Sequence, residues 1–244
     1  MKLFAKIITY CTFPGFWAVL GVFLMSRIDI SNVLQLTNQS RAQLLTVSLL
    51  MYIIIPMLFV YFMVYKKRFA SIQLAAVKER KIAVPFTLLS AVLMMVFTHQ
   101  LLGSNENLIK YNHLLNFHPL LEWEQLVILS LLVQTAFVFL NFKISIHMLS
   151  IASFSTFLFF EFQKIKQSII SDCLVGECIY QWPNALLIPQ NMNAVIIGLI
   201  ILSAVVFVSR KILNAHSYSE LIIGSIVGIS ITFVNSILLY FLWN

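Results

Sequence analysis

The chain has 244 residues, of which 60% are hydrophobic and only 10% charged, and its mean hydropathy is +0.92. Soluble domains carry about 25% charged residues, so this composition excludes a water-soluble globular protein and leaves a multi-pass membrane protein. The formal charge of +7, from 16 Lys plus Arg against 9 Asp plus Glu, fits cytoplasmic loops beside anionic headgroups, and a nucleic-acid partner is not expected.

Crossing a hydrocarbon core of roughly 30 Å takes about 20 mostly apolar residues. Windows that qualify lie near 7–26, 43–65, 83–102, 125–142, 147–163, 194–209 and 219–242. The expectation is an all-α, multi-pass transmembrane bundle of about seven helices, or six if the short fifth window is discounted, forming a single integral-membrane domain over 1–244. Helices are preferred to a barrel because the apolar runs are continuous and do not alternate. The first window follows Lys2 and Lys6 as a signal peptide would. Its apolar run exceeds the usual length of about 7–15 residues and no small-x-small cleavage site follows, so it reads as an anchor. Cys11 within it reads as packing, while Trp17, Trp123, Trp182 and Trp243 read as an aromatic belt near membrane boundaries.

With seven crossings, the loops after the second, fourth and sixth windows share one side. They carry Lys66, Lys67, Arg68, Lys78, Glu79, Arg80 and Lys81, then Lys143, Ser145 and His147, then the stretch from Ser209 to Glu220. With Lys2 and Lys6 the basic tally on that side is 11 against 5, which points to a cytoplasmic face. The long loop from Gln167 to Asn193 holds Cys173 and Cys178, which read either as a small disulfide or as two free thiols. His99, Gln100, His113, His118, Glu122 and Glu124 fall on the opposite side, the last four in a loop; metal binding there is a weak alternative, since their spacing matches no compact metal-ligand motif, and no metal or cofactor is expected if the histidine mechanism set out below holds.

The stretch between the last two windows concentrates chemistry. Ser209-Arg210, five residues, His216, three residues, Glu220, then Gly224 and Gly228 place ionisable groups where charge costs about 2.5–3.5 kcal/mol per residue, which makes them a site hypothesis. This pattern resembles the third signature of the type-2 phosphatidic acid phosphatase and vanadium haloperoxidase superfamily, with Glu220 where the family usually has Asp. Ile144-Ser145-Ile146-His147 keeps the Ser and His of the family's Pro-Ser-Gly-His second signature and lacks its Pro and Gly. Lys78-Glu79-Arg80-Lys81 ahead of Pro85 has the bases and proline of the first signature at a different spacing. Together with Cys11-Thr-Phe-Pro14-Gly15, these segments resemble a divergent branch found in small bacterial membrane proteins.

The residue types suit phosphoryl transfer, whose transition state is charge to be positioned and neutralised. Neutral His216 would attack phosphorus, with Glu220 holding one ring nitrogen protonated. His147 would protonate the leaving oxygen and then activate water. Arg210 would fork onto phosphate oxygens, with Lys78, Arg80 or Lys81 as further charge and Ser145 and Ser209 as further contacts. Gly224 and Gly228 would let the last helix approach a neighbour closely. Each element also has a plainer role: Ser217-Tyr-Ser-Glu220 is a capping box, Arg210 and Lys211 are snorkelling anchors, and the Lys66–Lys81 cluster is a solvated loop.

The resemblance implies a lipid-phosphate phosphatase of the bacterial cytoplasmic membrane, independent of metal, acting through a phosphohistidine on a phosphomonoester or pyrophosphate carried by a lipid. The alternative is a membrane protein of the same fold, without catalysis, that binds or moves a lipid phosphate.

Overall fold

In the computed structural model, every regular element among the described residues is helical. The structure describes residues 1–26, 36–70, 74, 76–103, 119–174 and 192–243, and the side chains among them except those of 165–174, 192–193 and 239–243. His113, His118, Cys178 and Trp182, and the side chains of Cys173 and Trp243, lie outside that set. The helices are α1 (Lys2–Cys11), α2 (Pro14–Met25), α3 (Asn38–Tyr65), α4 (Val77–Gly103), α5 (Pro119–Phe139), α6 (Ile146–Leu174), α7 (Met192–Ile212) and α8 (Tyr218–Trp243).

Five of these (α3, α4, α5, α7 and α8) are long and apolar enough to cross a membrane, and a sixth span results if the bent pair α1–α2 is taken as one. The chain is thus a membrane protein, helical in every described element. Up to six spans agree with the lower of the two counts expected from hydropathy, and two of the windows are redrawn. The first window is two helices meeting at 44°, because Pro14 starts α2 and holds Phe13 extended at ψ 139°. Cys11, expected to pack, is exposed on the outer surface of α1. The fifth window belongs to α6, a 29-residue helix that misses the apolar set. It holds His147, several serines and Glu161, and it tolerates them because the inward faces of other helices cover it. Met148, Leu149, Ile151, Phe154, Phe157, Leu158 and Phe162 are all buried.

Local chemistry sets the helix boundaries. Thr37 caps α3 by accepting the Ser40 N–H at 3.1 Å. Within α3 a π-helical stretch, Leu50–Ile54, precedes Pro56, whose missing N–H leaves the Tyr52 carbonyl without its helical donor. That carbonyl lies directly over Gly15, where a Cβ would collide with it. Helices α3, α5 and α7 stop in the same way, with Lys67, Asn141 and Asn214 in the left-handed region at φ 55°, 58° and 49°. In each, the next residue's N–H reaches back to the helix: Arg68 to the Met63 carbonyl, Phe142 to Phe137 and Ala215 to Arg210, at 2.8–3.1 Å.

The core gathers around α6. Trp17 and Trp123, expected in a boundary belt, are instead buried against Phe154, with ring centroids 5.2 and 5.4 Å away. The Trp123 indole N–H donates to the Ala18 carbonyl at 3.0 Å, and Gly21 leaves room for its ring. Glu122 and Glu124, expected in a loop, lie within the first turns of α5 and are buried. Lys164 of α6 bonds Glu122 at 2.6 Å and Glu161 at 2.7 Å, while Thr98 of α4 donates to Glu124 at 2.7 Å.

Helices α6 and α8 run parallel in one fixed register. Gly224 faces the Ser145 carbonyl, Gly228 faces the Leu149 carbonyl, and the Thr232 hydroxyl donates to the Ser153 carbonyl, residues 79 apart in sequence. A Cβ on Gly224 would sit 2.7 Å from its carbonyl and one on Gly228 2.5 Å from its own, so only glycine allows this approach. The start of α6 therefore meets the start of α8.

Candidate functional site

The parallel pair, together with the start of α4 and the end of α7, puts the sequence motifs at one end of the bundle. The Ser145 N–H donates to the Glu220 main-chain carbonyl at 3.2 Å, locking the loop before α6 onto the first turn of α8. Arg80 reaches across from α4 to the Ile144 carbonyl at 3.4 Å and also holds the Leu74 carbonyl at 2.8 Å. Glu79, beside it, accepts the N–H groups of Ala70 and Ala76 at 2.6 and 3.3 Å, which ties down the loop after α3.

His216 and Glu220 are paired. The imidazole Nδ1 is 2.7 Å from Glu220 Oε2, and the same carboxylate oxygen accepts the Ser217 N–H at 3.2 Å. The Glu220 N–H donates to Ser217 Oγ at 3.3 Å, which completes a capping box at the start of α8. The two roles offered by the sequence coexist in one side chain. With Nδ1 committed to the carboxylate, Nδ1 carries the proton and Nε2 keeps its lone pair for chemistry.

Burial pushes the His216 pKa down to about 3, and the charges of Arg210, Lys143 and Arg80 push it the same way. The imidazole is accordingly neutral across physiological pH, the form a nucleophile requires. Lys143 is the residue of this cluster that motif reading leaves out. Its Nζ donates to the Ala215 carbonyl at 3.0 Å and lies 3.9 Å from Glu220 Oε2, so it fixes both flanks of His216. Burial also lowers the Lys143 pKa, with Glu220 opposing and Arg80 and Arg210 adding to the fall. Asn141, two residues earlier and in the left-handed conformation that stops α5, was the local signal for how Lys143 is presented.

The remaining site residues divide. Ser145, His147, Arg80 and Ser209 are buried, and Arg210 is half-buried. Lys78 is exposed, and Lys81 lies 5.9 Å above the Phe139 ring, so Arg80 is the base of that trio turned inward. Three positive side chains (Arg80, Lys143 and Arg210) lie close enough to act on His216, against the carboxylates of Glu220 and of Glu79, the latter's oxygens taken up by the loop. The N-termini of α4, α6 and α8 add partial positive charge. Ser145 Oγ, both ring nitrogens of His147 and Arg210 Nε are buried without a hydrogen-bond partner among the described residues. His147 lies against the Thr9 main chain without closing a bond to it. Unpaired buried polar groups cost about 1–3 kcal/mol each, and here they surround excess positive charge, the arrangement that an incoming anion relieves.

No group of three or more His, Cys, Asp or Glu among the described residues is arranged to hold a metal ion. Fold and site together define a membrane protein, helical in every described element, with a cationic, histidine-bearing cluster of buried side chains at one end of its bundle. No family model, curated protein or solved structure matches the chain.

Proposed function

We propose that this protein is a lipid-phosphate phosphatase, a divergent relative of the type-2 phosphatidic acid phosphatases, in a bacterial cytoplasmic membrane. The observation that carries the reading is the Nδ1-anchored, neutral His216 set among Arg80, Lys143 and Arg210. In the reaction, His216 Nε2 forms a bond to phosphorus as the bond from phosphorus to the lipid oxygen breaks. His147, held neutral in the free protein by burial and by the charge of Arg210, takes up a proton as the phosphate binds and passes it to the leaving oxygen. Water, giving its proton back to His147, then attacks the phosphohistidine and frees His216 with inorganic phosphate. Arg80 and Arg210 neutralise the equatorial oxygens. Substrates of this class are phosphomonoesters or pyrophosphates borne by a lipid, reaching the pocket laterally from the bilayer.

One observation favours a second reading, in which the pocket binds or carries a lipid phosphate without cleaving it. An Arg80 guanidinium nitrogen is engaged by the Ile144 carbonyl, at the position where the family's second signature has proline. The test is phosphate release by purified protein from a panel of lipid phosphates and pyrophosphates in EDTA, comparing wild type with His216→Ala. Release that falls by orders of magnitude in the variant is the expected result. Binding with no release would leave the second reading, and equal release from the variant would overturn the role of His216.

A further inference from the structure

Serine and threonine inside a helix commonly satisfy their hydroxyl by donating to the carbonyl four residues back. Thr12, Thr87, Thr135, Ser155, Ser203 and Ser225 all do so, at 2.7–3.0 Å. Thr9 does not. Its Oγ1 is buried with no hydrogen-bond partner among the described residues, although Ala5 stands four residues back in the same helix. A buried hydroxyl that forgoes this default needs an explanation, as Ser130 Oγ of α5 also does, and at Thr9 the neighbouring groups supply one in an acceptor from outside the chain.

The surroundings narrow the choice of acceptor. Helix α1 packs on α7, the helix that carries Arg210, and the Thr9 main chain lies against the His147 imidazole. The other orphaned atoms of that neighbourhood are Ser145 Oγ, the His147 ring nitrogens and Arg210 Nε. Arginine nitrogen and hydroxyl groups are donors, and the shared want of such a set is an oxygen-rich anion. On its outer side α1 exposes Leu3, Phe4, Ile7 and Tyr10 together with Lys2 and Lys6, the composition of a helix lying in the membrane interface. A ligand that passes α1 on its way to the pocket therefore comes from the headgroup layer.

We propose that α1 forms the membrane-side wall of the His216 pocket and that the Thr9 hydroxyl is a further ligand of the bound phosphate group. This rests on the reading of the pocket as a phosphate site. Thr9 adds a neutral donor to a set otherwise dominated by cations, so it orients the phosphate without adding charge.

The test uses the purified full chain in lipid nanodiscs and two probes, inorganic phosphate and a short-chain, non-hydrolysable lipid phosphonate, titrated calorimetrically. Arg210→Ala tests the phosphate site itself and is expected to abolish binding of both. Thr9→Val is expected to weaken binding about tenfold, the loss of one hydrogen bond to a charged group, while Thr9→Ser stays within about twofold of wild type. Loss on both probes supports the proposal through the phosphate group alone, and loss confined to the phosphonate supports it with a lipid as the ligand. Wild-type affinity in Thr9→Val beside a dead Arg210→Ala overturns the role of Thr9 and leaves the phosphate site standing. Binding of neither probe to wild type overturns both. Should Thr9→Val not fold, Thr9→Cys in a chain whose three native cysteines are serine gives a second readout. Its modification by a methanethiosulfonate slows at least tenfold when the phosphonate is bound, and an unchanged rate overturns the proposal.

Discussion

Replacing Gly224 by alanine tests whether the α6–α8 contact builds the site. The new Cβ would lie 2.7 Å from the Ser145 carbonyl oxygen, a main-chain atom that cannot swing aside. Ordinary carbon–oxygen contacts begin near 3.3 Å, so the helices must part by about 0.6 Å. That separation stretches the 3.2 Å bond from the Ser145 N–H to the Glu220 carbonyl beyond hydrogen-bond range. Overpacking of this kind costs about 1–3 kcal/mol, and because an error of about 1 Å in a reacting geometry costs about 10²-fold, turnover should drop at least tenfold. Gly198→Ala is the matched control, since its Cβ meets nothing within 4 Å in the middle of α7 and the change should be neutral or slightly stabilising. The assay pairs thermal unfolding with phosphate release. If Gly224→Ala unfolds and turns over like wild type, α8 is not pressed against α6 at this position and the construction of the site given above is wrong.

Glu220→Gln keeps a side chain able to cap Ser217 but removes the charge facing His216; unfolding should be nearly unchanged while turnover falls about 10²-fold or more, and equal turnover would deny Glu220 its orienting role. His216 has a folded pKa near 3 against an ordinary value near 6.5, so between those values the unfolded chain binds more protons and stability falls as pH is lowered from about 6.5 toward 3. Above that window its contribution is flat, and Lys143→Met, which removes one of the cations depressing His216, should move the acid limb of a pH–stability curve upward; an unmoved limb would exclude that coupling. Turnover should be unchanged after exhaustive dialysis against EDTA, and activity lost on chelation but restored by a divalent ion would replace the histidine mechanism with a metal-assisted one.

The last two helices were legible because their signals are local: an apolar run, a Ser–Glu cap, and glycines four apart. The convergence of three loops followed from counting crossings, yet the count relied on windows that the structure redraws. Glu122 and Glu124 read as loop residues because hydropathy scores polarity without knowing what covers it, and in α5 they are covered by α6 and α4. Trp17 and Trp123 misled for the converse reason: an indole suits an interface and a core alike, and the Ala18 carbonyl that accepts from Trp123 is 105 residues away. The choice of Arg80 over Lys78 and Lys81 depends on the phase of α4 relative to Ile144, a tertiary fact. Lys143 carried no motif, and its reach to Ala215 exists only once α5 and α7 have both been turned back by their asparagines.

The composition of α6 bears on how the chain is made. A segment with His147, Ser153 and Glu161 along its length gains little by entering the bilayer alone, whereas α8, with a mean hydropathy of 2.1 in its apolar window, enters readily. Yet α8 is synthesised after α6. During synthesis α6 must be held by the helices already inserted, α5 above all through the Lys164 bridge to Glu122, until α8 arrives and closes over the Ser145–Ser153 face. His147 and the rest of the candidate site thus come together only once α8 has inserted, so a chain cut short before α8 would carry every cation of the site and no site.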